Sequence, residues 1–206
     1  MNYLPPLLAV AGVMFLACAS PGPDLIAVMS HSLSHRRSGL GAAAGIATSH
    51  AMWAALAVFG LGLLVAQLAW LYEGIRIAGA VYLLYLGAKI LFGLRAASTE
   101  SVVSRAPARN FAQSFRKGLV VGMTNPKAAA FFGSLFVTIL PPHAPVWVQG
   151  ATLLTVAVVS ASWFCSMALL FSTGRVQRGY ARIRRPIDAL MGTVLVALGA
   201  KLAIDR

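Results

Sequence analysis

The chain has 206 residues, of which 59% are hydrophobic and 11% charged, and its mean hydropathy is +0.78. A soluble domain of this length cannot bury so much apolar surface, so the composition excludes an ordinary soluble fold and favours a polytopic α-helical membrane protein. The formal net charge of +12 predicts no nucleic-acid partner, because the basic residues lie in short connectors between apolar segments.

Six apolar segments follow one another along the chain, each near or above the roughly 20 residues that span a bilayer. They cover residues 4–30, 39–67, 69–93, 115–140, 146–171 and 186–204. We therefore predict an all-α membrane protein with six transmembrane helices in a single domain over residues 1–206. Its parts are a first repeat at about 1–94, a connector at about 95–114 and a second repeat at about 115–206.

The first segment is interrupted by the sequence "SPGPD". Pro21 and Pro23 lack a backbone N–H and clash with the preceding helical turn, and Gly22 between them loosens the helix further. In hydrocarbon, a broken helix survives only inside protein or beside a water-filled cavity. A charge at the bilayer centre costs about 3 kcal/mol, so Asp24 is predicted to cap the restarted helix or to bind substrate or a proton.

Basic residues are distributed unevenly among the connectors. The second connector offers only Arg76 beside Glu73, and the fourth has no basic residue. Connectors one, three and five carry Arg36, Arg37, Arg95, Arg105, Arg109, Arg116, Lys117, Arg175, Arg178, Arg182, Arg184 and Arg185. Because positively charged loops stay in the cytoplasm, these three connectors are predicted to be cytoplasmic and both termini to lie outside.

An internal repeat is visible in the two halves of the chain. "YLGAKIL" at 85–91 recurs as "ALGAKLA" at 197–203, an offset of 112 residues. The fourth segment contains "TNPK", so it is also interrupted by a proline. Three spans per half is an odd number, so the second copy enters the membrane with opposite polarity. This pattern predicts two inverted repeats with broken helices one and four, a design typical of secondary transporters.

The side chains beside the two breaks are the candidate site. Asp24 and Lys127 follow corresponding prolines, and we expect them to form a pair in one cavity. Lys127 would alternatively bond the carbonyls freed by Pro126. Unwound helix ends can hold the ammonium and carboxylate of an amino acid. His50, near the middle of span two, suits proton exchange or hydrogen-bonded packing, and Asp188 at the start of span six suits an interfacial or a functional role.

The segments "SPGPDLIAVMSHSL", "FRKGLVVGMTNPKAAAFFGSLF" and "RRPIDALMGTVLVALG" resemble the lysine-exporter (LysE) superfamily, and within it the RhtB-type homoserine/threonine exporters. The resemblance implies a bacterial inner-membrane transporter, not an enzyme, that exports small neutral amino acids such as threonine or homoserine. It also implies that the proton gradient drives export, so amino acid and protons are the partners and no cofactor is needed. The matching motif residues are Pro21, Gly22, Pro23, Asp24, Asn125, Pro126, Lys127 and Asp188.

Several points stay open from the sequence. Some relatives carry an acidic residue shortly before the tryptophan that Trp163 matches, whereas Val159 and Ser160 occupy that stretch here, which leaves the substrate open. Assembly into a homo-oligomer is also open. One alternative is a divalent-cation exporter, which would need several carboxylates or thiolates around one cavity. Another is a membrane thiol–disulfide reductant carrier that uses Cys18 and Cys165.

The predicted topology can be tested with reporter fusions. We expect a reporter at the C-terminus to be active outside the cytoplasm, because connectors one, three and five hold the positive charge. A reporter inserted within residues 95–112 should be active in the cytoplasm. A cytoplasmic C-terminus would contradict both the orientation and the inverted repeat.

Overall fold

The computed structural model describes residues 3–67, 69–94, 106–107, 110–139, 144–172 and 174–204. Within these ranges the chain forms eight α-helices and no β-strand. The helices are α1 (Leu4–Ala19), α2 (Pro23–Ser34), α3 (Arg36–Gln67), α4 (Ala69–Gly93), α5 (Phe111–Met123), α6 (Pro126–Ile139), α7 (Val146–Leu170) and α8 (Gly174–Ile204).

The six predicted segments correspond to four continuous helices and two broken pairs. The pair α1–α2 is bent by 57° at its break, and α5 and α6 are separated by Thr124 and Asn125. The predicted ends were wrong in four places, of which two are that α2 ends at Ser34 rather than 30 and that α3 begins at Arg36 rather than 39. Helix α5 begins at Phe111 rather than 115, because Asn110 and Gln113 form a capping box. Helix α8 begins at Gly174 rather than 186, because helix continues through its basic first turns and Pro186.

Not every helix passes a test for membrane crossing by length and apolar composition. Among the described residues, three stretches pass, namely Arg36–Gly60, Val146–Leu170 and Arg185–Ile204, and the bent pair α1–α2 is a fourth. The described part of α4 contributes a shorter apolar stretch, Ile77–Gly93. Six spans therefore remain a prediction. Most of the predicted connector and the turn at 141–143 lie outside the described residues.

The outer surface of the helices is apolar and the interior contains polar side chains. Leu8, Val81 and Leu154 are each more than 60% exposed, whereas Asp24 and Asn125 are at most 9% exposed. Soluble proteins place side chains the other way round. This distribution suits a surface that faces hydrocarbon and an interior that holds a polar site.

Helices α3 and α5 are in direct backbone contact through small residues. A Cβ on Gly45 would lie 2.1 Å from the carbonyl oxygen of Phe115, and one on Gly41 would lie 2.5 Å from that of Phe111. Only glycine fits at such a distance, as in the small-residue interfaces of membrane helices. Because the residue numbers of the two contacts increase together along both helices, α3 and α5 run parallel.

Helices α4 and α8 cross through a second set of small residues, in the opposite sense. A Cβ on Gly87 would lie 2.8 Å from the carbonyl oxygen of Gly192, and one on Gly199 would lie 3.0 Å from that of Ala80. Higher numbers in α4 meet lower numbers in α8, so the helices are antiparallel. The offset of 112 residues takes Gly87 to Gly199 and Ala80 to Gly192, so each contact is the counterpart of the other.

The α3–α5 contact can be tested with a pair of matched substitutions. Gly45→Ala should destabilise the protein, because the new methyl would force two backbones apart, and overpacking costs about 1–3 kcal/mol. Gly60→Ala lies in the same helix with nothing within 4 Å of the added carbon. It should be neutral or slightly stabilising, since alanine is the better helix former. Equal unfolding temperatures for both purified variants in detergent would contradict the close contact.

Candidate functional site

The two helix breaks have the same local construction. In each, a helix ends, a short break follows, proline opens the next helix and a charged residue comes second. The corresponding triplets are Gly22–Pro23–Asp24 at the start of α2 and Asn125–Pro126–Lys127 at the start of α6. Proline is well suited to the first helical position, where its missing N–H has no intrahelical acceptor. Prolines at the breaks, Pro21 and Pro126, also deprive the preceding helices of hydrogen bonds.

The first break is stabilised by a lysine from the other half of the chain. Pro21 has no N–H to donate to the carbonyl of Ala17, which is four residues earlier. Instead the Lys127 ammonium donates to the carbonyl oxygens of Ala17, at 3.4 Å, and of Ser20, at 3.2 Å. A cation at the C-terminal end of α1 also interacts favourably with the helix dipole. Lys127 therefore caps α1 across the interface between the halves.

The second break is stabilised by an indole and an amide. Pro126 cannot donate to the carbonyl of Gly122, and that oxygen instead accepts from Trp53 Nε1–H at 3.3 Å and from the backbone N–H of Asn125 at 3.4 Å. The Asn125 side-chain oxygen accepts the backbone N–H of Lys127 at 3.0 Å, so Asn125 caps the start of α6. Side chains thus supply a donor to the carbonyls left by Pro21 and Pro126, and at the second break a backbone N–H also contributes.

The Asp24 carboxylate is buried and only half of it is hydrogen-bonded. Its Oδ2 accepts from Asn125 Nδ2 at 2.8 Å and lies 3.2 Å from His50 Nε2. Its Oδ1 is buried and has no hydrogen-bond partner among the described residues. Leaving a buried acceptor unpaired costs about 1–3 kcal/mol. This oxygen is therefore a ready acceptor for a proton or for an ammonium group.

His50 continues the polar contacts from Asp24 towards α7 and α1. Its Nδ1 lies 3.0 Å from Ser160 Oγ, and that hydroxyl lies 3.8 Å from Cys18 Sγ. The imidazole also contacts the rings of Phe132 and Phe164, with centroids 5.4 and 5.6 Å away. Polar partners at both nitrogens and aromatic rings beside it hold the imidazole in one orientation.

Asp188 contacts the first break through a serine. The Ser20 hydroxyl donates to Asp188 Oδ1 at 3.3 Å, and the carbonyl of the same Ser20 accepts from Lys127. Asp188 is half-buried on α8. Helix α8 is therefore connected to the site, although Asp188 does not line the cavity described next.

A small cavity lies where the two breaks meet. Its volume is about 20 Å³, which is room for about one water molecule. Asp24, Lys127 and His50 line it together with aromatic rings such as Phe131 and Phe132. Two opposite charges thus face one space that is too small for an organic solute in this conformation.

The structure brings together most of the side chains singled out in the sequence, but not in the expected pairing. Asp24 and Lys127 line one cavity, yet the structure shows no ion pair between these two described residues. Each is engaged elsewhere, Asp24 with His50 and Asn125, and Lys127 with α1. The expectation that Lys127 bonds the carbonyls freed by Pro126 is also wrong.

Three contributing residues were not predicted: Ser20, Trp53 and Ser160. A weak signal existed for Trp53, which follows His50 by three residues and therefore shares its helix face. Ser160 precedes Trp163 by three residues in an otherwise apolar helix. Nothing in the sequence shows that a serine so far along the chain contacts His50.

The two alternative functions can be compared with these contacts. In the described part of the chain, no three His, Cys, Asp or Glu side chains come together in a way that could hold a metal ion. Cys18 and Cys165 are free thiols, and neither is among the residues that line the cavity. Neither alternative gains a supporting contact.

The capping role of Lys127 predicts a loss of stability. Lys127→Met should destabilise the protein by about 1–3 kcal/mol, because it removes charge-assisted hydrogen bonds to the carbonyls of Ala17 and Ser20. Lys117→Met removes an exposed lysine from α5 and is the matched control. Thermal unfolding in detergent compares the two. A stability loss no larger for Lys127→Met than for Lys117→Met would contradict the capping role.

Comparison with known proteins identifies the chain's relatives. The profile of the LysE type translocator family matches residues 8–206. The threonine efflux protein of Escherichia coli (strain K12) is 33% identical over 203 residues, which cover 97% of this chain and 98% of that protein. The threonine efflux protein of Salmonella typhi is 31% identical over 201 residues, covering 96% of this chain and 97% of that protein.

A leucine efflux protein of Klebsiella pneumoniae is also similar, at 32% identity over 211 residues, covering 98% of this chain and 95% of that protein. No solved structure matches the chain. The matches confirm the resemblance inferred from the three quoted segments. Together with the apolar helices, they support a multi-pass protein of the bacterial inner membrane. The chain belongs to the LysE type translocator family.

Proposed function

We propose that this protein exports small neutral amino acids, such as threonine or homoserine, from the cytoplasm and that the proton gradient drives the export. Relatives named threonine efflux protein and leucine efflux protein support the amino-acid class. The observation that carries the proposal is the cavity at the two breaks. A carboxylate with an unpaired oxygen and an ammonium group face the same small space.

These two charges match the backbone of an amino acid. At neutral pH a free amino acid carries an ammonium and a carboxylate. Asp24 Oδ1 can accept from the ammonium, and Lys127 can donate to the carboxylate once it leaves the carbonyls of α1. Met14 and Phe131 are among the apolar residues that form the rest of the wall. A charged substrate side chain would be unpaired against such a wall, which favours a neutral one.

The size of the cavity implies that transport requires movement of the helices around it. An amino acid has several non-hydrogen atoms, whereas a cavity of about 20 Å³ holds about one water molecule. The structure therefore corresponds to a closed conformation. The bonds from Lys127 to Ala17 and Ser20 close it, and substrate carboxylate would compete with those carbonyls for the ammonium.

Competition at Asp24 explains how a proton can drive export. A proton and the substrate ammonium both need the negative charge of this carboxylate, so each weakens the binding of the other, and this coupling is reciprocal. A proton arriving from outside would release the substrate there. Loss of the proton to the cytoplasm would make Asp24 available for the next substrate. His50, 3.2 Å from the carboxylate, can share that proton.

The relative directions of the helices support six spans in two inverted repeats, and the basic residues of connectors one, three and five support both termini outside. α3 and α5 are parallel, and the reciprocal contacts make α4 antiparallel to α8. The ring pairs Tyr3–Trp147 and Phe15–Trp163 make α1 parallel to α7. Six spans of alternating direction would have these relationships. In this arrangement the whole chain, residues 1–206, is one transporter domain.

Measurement of amino-acid export tests the proposal. Bacteria that overproduce the protein should retain less labelled threonine, homoserine or leucine than cells without the gene. They should also grow at higher external concentrations of threonine or homoserine that are toxic to cells without the gene. An uncoupler that collapses the proton gradient should abolish the difference. Export that continues unchanged after uncoupling would contradict proton coupling, and equal retention of every amino acid tested would contradict the proposed function.

Asp24→Asn separates the chemistry of the site from its fold. The amide keeps the shape of the side chain and can still accept from Asn125, but it can neither take up a proton nor pair with an ammonium. Proton-driven export should fall to the level of cells without the gene while membrane abundance stays normal. Glu100→Gln, in the predicted connector, is the control for losing a carboxylate. Normal export by Asp24→Asn would exclude Asp24 from the mechanism.

A further inference from the structure

Ser160 is a buried residue of α7 that the proposed function does not yet use. Its exposed fraction is 0%, and its hydroxyl lies between His50 Nδ1, at 3.0 Å, and Cys18 Sγ, at 3.8 Å. A serine inside an apolar helix commonly bonds to its own backbone or across helices to another polar group. Here its partners come from α3 and α1, so Ser160 is aimed at the polar contacts around Asp24.

The contacts of His50 leave each ring nitrogen with one partner in the described structure. Nε2 faces a carboxylate oxygen of Asp24, and Nδ1 faces Ser160. An ionised carboxylate only accepts hydrogen bonds, so Nε2 must carry a hydrogen for that contact to be a bond. In neutral His50 the other nitrogen is then an acceptor, and Ser160 must donate to it.

Uptake of a proton by His50 changes what Nδ1 requires. The imidazolium carries hydrogen on both nitrogens, so Nδ1 becomes a donor and needs an acceptor. A hydroxyl can supply either role, because it has one hydrogen and two lone pairs. When Ser160 accepts from Nδ1, its own hydrogen turns away towards Cys18 Sγ, a weak acceptor. Both bonds of His50 are preserved before and after protonation.

We propose that Ser160 is a positioning residue for proton exchange, and this proposal rests on the proposed function. Its hydroxyl holds His50 in the tautomer whose Nε2–H points to Asp24, and it reverses from donor to acceptor when a proton binds at Nδ1. One O–H bond of a hydronium ion from the outer side breaks as the N–H bond at Nδ1 forms, and a water molecule is released. The hydrogen bond between His50 and Asp24 is retained throughout.

The groups around His50 come from several helices. Asp24 of α2 and Lys127 of α6 line the same cavity, and Cys18 of α1 is reached through Ser160. Asp188 of α8 is connected through Ser20. Of these, Asp24 and Ser160 bond directly to the ring. Because Ser160 is uncharged, its removal tests the hydrogen bond without changing the net charge of the site.

Nitrogen-15 NMR of the purified protein tests the proposal without a substrate. His50 signals, assigned by their loss in His50→Gln, should show one neutral tautomer with hydrogen on Nε2 and a hydrogen-bonded Nδ1. In Ser160→Ala, the Nδ1 signal should move to the position of a nitrogen without a hydrogen bond, and the second tautomer should become visible. Ser160→Thr, which keeps a hydroxyl, should restore the wild-type pattern. Ser49→Ala is the matched control, since Ser49 is also fully buried but bonds to its own helix at Ile46.

Proton-coupled exchange of labelled threonine in proteoliposomes gives a second readout. The pH of half-maximal exchange should fall by about half a unit to one unit in Ser160→Ala, because a hydrogen bond from a charged donor is worth more than one between neutral groups. Ser160→Thr and Ser49→Ala should keep the wild-type profile. A wild-type NMR pattern and pH profile in Ser160→Ala would overturn the proposal.

The two proposals fail in different ways. If the wild-type protein exchanges no threonine or leucine but its His50 signals show the expected tautomer, the proposed function is wrong and the His50–Ser160 pairing is supported. If Ser160→Ala does not accumulate in the membrane, the wild-type spectra still test the pairing of His50 with Ser160. A neutral His50 with hydrogen on Nδ1 would contradict the pairing.

Discussion

The structure depends on one constraint, that backbone carbonyls freed by proline inside an apolar protein must find other donors. The α1 carbonyl freed at Pro21 is bonded by Lys127, and the α5 carbonyl freed at Pro126 is bonded by Trp53. An unpaired polar group costs roughly several kcal/mol in hydrocarbon, because no water is present there to bond it. Both side-chain donors come from elsewhere in the fold, so they stabilise the breaks only when the helices are assembled.

The same constraint places charge at the centre of the molecule. Lys127 stands at the N-terminal end of α6, where the helix dipole disfavours a cation, and it reaches across to the C-terminal end of α1, where the dipole favours one. Asp24 stands at the N-terminal end of α2, where an anion is favoured, and bonds to Asn125 and His50. Each charge is therefore held by a helix end and its own hydrogen-bond partners rather than by the other charge, and the proposed function uses both.

Close packing of small residues supplies the frame that keeps these distances. The glycine contacts of α3 with α5 and of α4 with α8 join the two halves of the chain along their length. Trp53 and His50 lie on α3, so the α3–α5 contact also sets how near they come to the breaks. A rigid frame around two broken helices allows movement to be concentrated at the breaks, as in transporters whose repeats rock around a central site.

The sequence by itself determined the helical membrane class, both helix breaks and the charged residues beside them, because proline, glycine and long apolar runs act locally. The repeated "LGAK" indicated that α4 and α8 are counterparts, and only the structure showed that they meet. Only the tertiary structure decided the partners: Lys127 with the end of α1, Asp24 with His50 and Asn125, and His50 with Ser160. Residues more than 100 positions apart make most of these bonds. Which of several possible donors reaches a given acceptor depends on how the helices cross, and local sequence does not encode that.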